Sequence, residues 1–170
     1  MKYKSIVLNL MLGILSCSLV VGAQTFHTHE SDSPIHNDKI AFTSITSEDL
    51  NNNQTLLMST LIYYAITHIS DGRWVEASDI DRGWQIQKIN VEDKVHYLVW
   101  PDKRIQDENK HIEPNWFAID GDTVTYHSFV IHSQGHESTH TVAMQEIINT
   151  VNNKRSINMI NSMLANLVIV

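Results

Sequence analysis

Residues His136-Glu137-Ser138-Thr139-His140 carry the spacing of a zinc-peptidase signature. On a helix, histidines four apart share one face and can hold a zinc ion. The glutamate between them then acts as general base on the metal-bound water. This pattern defines the catalytic alternative for the chain: a small zinc-dependent metallopeptidase with His136 and His140 as ligands and Glu137 as base.

Three physical arguments count against that reading. Ser138, Thr139, Thr141 and Val142 are weak helix formers, and Ser133-Gln134-Gly135 directly precedes the motif, so strand–turn–strand is the easier local structure. On a strand, positions 136 and 140 lie about 13 Å apart, too far for one metal. A third ligand is also missing downstream, where Glu146 is the only acid. If Ala143 and Met144 continued a helix, Glu146 would be turned ~80° from His136 and displaced ~15 Å along the axis. An upstream histidine, His127 or His132, restores a metal site without restoring the usual enzyme. Few residues follow the motif to build a substrate cleft. The sequence therefore assigns no catalytic residue and no cofactor.

Other reactive side chains are sparse. Cys17 is the single cysteine. His27, His29 and His36 stand in a polar stretch that suits a tail better than a specific copper or zinc site. Phosphate-cradling glycine loops, nucleophile elbows and Ser-Lys dyads are absent from the sequence. Trp84, Trp100 and Trp116 remain as candidate binding residues, because aromatic rings gathered at one end of a sheet make a stacking platform for a sugar or peptide.

The elements that position these residues follow from composition and pattern. The chain has 170 residues, 42% of them hydrophobic and 18% charged, enough for one domain with a core. Its 12 Lys and Arg against 19 Asp and Glu give a charge of -7, so no nucleic-acid partner is expected. Lys2 and Lys4, the apolar run Ile6 to Val21, and Val21-Gly22-Ala23 read as a secretory signal peptide over residues 1–23. The expected product is secreted, with no transmembrane span in the mature chain. Acylation of Cys17 is the alternative and gives a lipid-anchored protein, although Leu15 is bulky for that cleavage. Residues 24–46 read as a flexible polar leader, and residues 47–170 as a single α+β domain.

Asn51-Asn52-Asn53-Gln54 opens a helix, with Asn51 as cap, and its apolar stripe from Leu56 to Ile69 calls for burial on a sheet. Strand patterns follow at Trp84 to Ile89, Val95 to Trp100, Trp116 to Ile119 and Val124 to Ile131, with a short fifth at Thr139 to Ala143. Met144 to Val151 and Ser156 to Leu167 read as helices, and the terminal Leu-Val-Ile-Val should be docked. The expected architecture is a long N-terminal helix packed on a four- or five-stranded antiparallel meander, with C-terminal helices. With residues 91–94 as the turn, Ile89 faces Val95 and Trp84 faces Trp100 on one side. The loop before Trp116 fixes no register.

The helix after Asn51-Asn52-Asn53-Gln54, Gly83-Trp84-Gln85-Ile86, Asp120-Gly-Asp-Thr-Val-Thr-Tyr126 and Thr139-His-Thr-Val-Ala-Met-Gln-Glu-Ile-Ile148 form a pattern. It resembles a family of small secreted or lipid-anchored proteins of unknown function from lactic acid bacteria. The resemblance covers roughly residues 50–165 and implies an extracytoplasmic domain, with no catalytic residues to carry over.

The sequence thus points to a secreted, non-catalytic extracellular or cell-envelope binding domain. Its expected partner is an anionic cell-wall polymer or a protein. The chain's ten histidines add an acid response: with residues 1–23 removed, protonating them carries the net charge from -9 to +1.

Overall fold

A computed structural model describes residues 41–70, 72–130 and 136–170. The expected signal peptide over residues 1–23, most of the expected leader with His27, His29 and His36, and His132 lie outside the described residues. So do the side chains of Val130 and His136.

The folded unit begins ahead of residue 47. Ile45 is buried in the core, and its backbone N–H and C=O both bond the side chain of Asn152. Asn161 holds Phe42 in the same two-sided way. Thr46 and Asp49 then make a reciprocal capping box that starts α1 (Ser47–Asn52).

The expected single long N-terminal helix is corrected to two helices parted at Asn53. That residue has extended backbone, and its side chain accepts from the Leu56 N–H to cap α2 (Gln54–His68). The cap is therefore Asn53 rather than Asn51. In α2 Leu56, Met58, Leu61, Ile62 and Ala65 are almost wholly buried. A helix buried on so many sides needs neighbours beyond one sheet face. α3 (Met144–Val151) and α4 (Lys154–Met163) supply them, following the strands. Truncating Leu61 to alanine would empty packed space at a cost of about 2–5 kcal/mol.

The sheet contains β1 (Trp84–Val91), β2 (Lys94–Trp100), β3 (Asn115–Asp120), β4 (Thr123–Val130), β5 (His136–Ala143) and β6 (Leu167–Ile169). Their order is β5-β4-β3-β2-β1-β6. The expected four- or five-stranded antiparallel meander is therefore corrected to a six-stranded mixed sheet. β1 to β5 pair antiparallel in succession, and β6 joins β1 in parallel. The residues after Met163 do not extend the helix; they form a short 3-10 turn and then this edge strand. Gly83 makes the join possible. It has φ +68, and a Cβ there would stand 2.1 Å from the Asn166 carbonyl oxygen.

A second correction concerns register. The β1–β2 turn is the two-residue pair Glu92-Asp93, both left-handed, with Val91 opposite Lys94. Ile89 then faces His96 rather than Val95, and Gln85 faces Trp100. A one-residue slip moves alternate side chains to the opposite face. Trp84 and Trp100 consequently lie on opposite sides of the sheet.

Candidate functional site

The two faces of the sheet differ in kind. The inner face packs Trp84, Ile86, Val99, Phe117, Val124 and Tyr126 against the helices. The outer face carries Ile89, Leu98, Trp116, His127 and Phe129, and no α-helix among the described residues covers them; the loop with the 3-10 turn Asp107–Asn109 covers the Gln85 and Trp100 end.

Strand register assembles an aromatic ladder on that outer face. Leu98 pairs with Trp116, Trp116 with His127, and His96 with Ala118. Trp116 is thereby directly across from His127 and diagonal to His96. Its indole is stacked on both sides: His96 lies at 3.9 Å between ring centroids with planes 13° apart, and His127 at 3.6 Å with planes 6° apart. Facing rings from neighbouring strands pack well because strand spacing approaches ring contact distance. Glu137 on β5 closes the ladder, with its carboxylate oxygen 2.5 Å from His127 Nδ1. That short contact orients the ring.

Grooves run on both sides of the ladder. One, of about 570 Å³, has a floor of Ile89, Leu98 and Trp116, with Phe129, Glu113 and Glu137 beside it. The other, of about 510 Å³, brings Asp93, Lys94 and Asp120 around His96 and His127. Four carboxylates thus surround the ladder against one ammonium. The His96 pKa lies below the ordinary imidazole value. Burial is the largest cause, the charges of His127 and Lys94 act in the same direction, and Glu113 opposes them.

The three tryptophans chosen from sequence are not brought together. Trp84 is fully buried on the inner face, its Nε1–H donating to the Ala77 carbonyl. Trp100 lies on the outer side but is only 7% exposed, donates to Gln87 Oε1, and is covered by the Lys110 ammonium. Trp116 is the one that stands in the ladder. His96, His127 and Glu137 are its companions, and their alignment required the register of four strands.

The peptidase motif is strand throughout. His136–Ala143 is β5, so the helical face that zinc binding requires is not formed. Glu137 and His140 are three apart on a strand and point to opposite faces. Glu137 meets His127 outside, whereas His140 lies on the inner side near the rings of Tyr64 and Tyr126. Glu146, the third-ligand candidate, is on α3. Among the described residues, no group of three His, Cys, Asp or Glu side chains is placed to hold a metal ion. No described helix is long and apolar enough to cross a membrane.

The architecture is a mixed α+β sheet with one helix-covered face and one open, acidic, aromatic face. Compared with known proteins, the chain matches no family model, no curated protein and no solved structure.

Proposed function

We propose that this is a secreted, non-catalytic domain that binds a partner at or near a bacterial envelope through the open face of its sheet. The observation that carries the reading is the Trp116 ladder between two grooves, on a part of the sheet that no α-helix among the described residues covers. An ordered aromatic cluster with exposed apolar neighbours on one side of a sheet is a usual form of recognition surface. Phe129, 44% exposed, adds to it. Of the two partners expected from sequence, a protein is favoured over an anionic cell-wall polymer. The carboxylates of Asp93, Glu113, Asp120 and Glu137 repel polyanions at neutral pH. The strand geometry of the His136–His140 motif counts against the zinc-peptidase alternative.

The experiment is retention of the secreted protein on washed envelopes of the producing bacterium at pH 7. Phe129→Lys should reduce retention at least tenfold. Met159→Lys, at an exposed position of α4 on the helix-covered side, should leave it unchanged. Equal retention of all three proteins would contradict the reading.

A further inference from the structure

We infer that the open face takes an extended peptide segment in which a lysine or arginine stands beside an apolar side chain. This rests on the reading of that face as the binding surface and adds the chemistry of the occupant.

Charge complementarity selects the cation. Glu113 and Glu137 line the larger groove, Asp93 and Asp120 line the smaller, and Lys94 is the only fixed positive charge among these lining residues. The field over the ladder is therefore negative when the imidazoles are neutral, and it favours ammonium or guanidinium groups. The apolar floor selects the neighbouring side chain. Ile89, Leu98 and Trp116 line the same groove as Glu113 and Glu137, so one extended segment crossing the strands can meet both. A sugar ring is less well served, because both indole faces of Trp116 are already covered by imidazoles.

The same arrangement gives binding a pH dependence. His96 is faced by Lys94, His127 and Glu113, and His127 by His96 and Glu137. Asp93 and Asp120 line the groove beside both imidazoles. Protonating His96 adds a positive charge among the four carboxylates, so acid weakens the hold on a cation.

Fluorescence anisotropy with dye-labelled ten-residue peptides tests this on the full secreted protein. Alternating Leu-Lys, Leu-Glu and Ser-Lys peptides would be compared at pH 7.5 in low salt. The Leu-Lys peptide should bind at least tenfold more tightly than either of the others. Its affinity should fall about fivefold at pH 5 and about tenfold in the Glu113→Gln/Glu137→Gln variant. If that variant does not fold, 0.5 M salt on the wild-type protein should produce a comparable loss. Equal binding of Leu-Lys and Leu-Glu would overturn the inference, as would Leu-Lys binding that ignores Phe129→Ala. Absence of binding by every peptide, with envelope retention still sensitive to Phe129→Lys, would overturn the ligand class and leave the face as the binding surface. Loss of both effects would overturn the two together.

Discussion

The indole of Trp116 and the imidazole of His127 lie face to face, 3.6 Å between centroids and 6° from parallel. They come from directly paired positions on β3 and β4, and the opposite indole face is covered by His96 from β2. One indole thus separates two titratable rings, and a carboxylate orients the second of them. Charging the His96 imidazole changes the surface that a partner meets.

The first expected outcome concerns acid and stability. The folded protein holds the His96 pKa below its ordinary value, through burial first and neighbouring positive charge second. Above about pH 6.5 the ring is neutral in folded and unfolded chains alike, so its contribution is intact. As pH falls below that value, the unfolded chain takes up the proton first, and stability is lost until the folded pKa is passed. Urea midpoints at pH 7, 6 and 5 should therefore decline less steeply in His96→Gln than in the parent. An unchanged slope would place the acid sensitivity elsewhere.

The second concerns the motif on β5. Glu137→Gln keeps the shape of an exposed side chain and should alter stability by no more than about 0.5 kcal/mol. His140→Ala removes a half-buried ring beside Tyr64 and Tyr126 and should cost about 1 kcal/mol. A chelator should not move the thermal midpoint. Stoichiometric zinc in the purified protein, with peptidase activity lost on chelation, would contradict this.

The third concerns the parallel edge. Gly83→Ala forces a Cβ against the Asn166 backbone at a left-handed position. Both the strain and the clash should act, for a loss of about 1–3 kcal/mol. Hydrogen exchange should show β6 released, with Val170 N–H no longer protected by the Ile86 carbonyl it bonds at 2.9 Å. A stability within 0.5 kcal/mol of the parent would mean that the β1–β6 pairing is dispensable.

These elements also mark what the sequence made legible. Local pattern sufficed for most of the strands and for the short strand at Thr139 to Ala143, where Thr and Val disfavour helix; β5 begins three residues earlier, at His136. It did not suffice for the β1–β2 register. Glu92 and Asp93 adopt the left-handed turn that glycine or asparagine usually announces, and the slip of one residue separated Trp84 from Trp100. β6 was out of reach because three residues carry no periodicity and the pairing depends on a long-range approach to Gly83. The ladder was hidden for the same reason: His96, Trp116, His127 and Glu137 meet only once four strands are aligned.

The most direct measurement is amide chemical-shift mapping of the isotope-labelled protein as solubilised envelope proteins are added. Shifts should concentrate at outward-facing positions of the central strands, above all Leu98, Trp116, His127 and Phe129, with α3 and α4 unchanged. Shifts centred on α3, α4 or the β6 edge, with Trp116 and His127 unmoved, would contradict it.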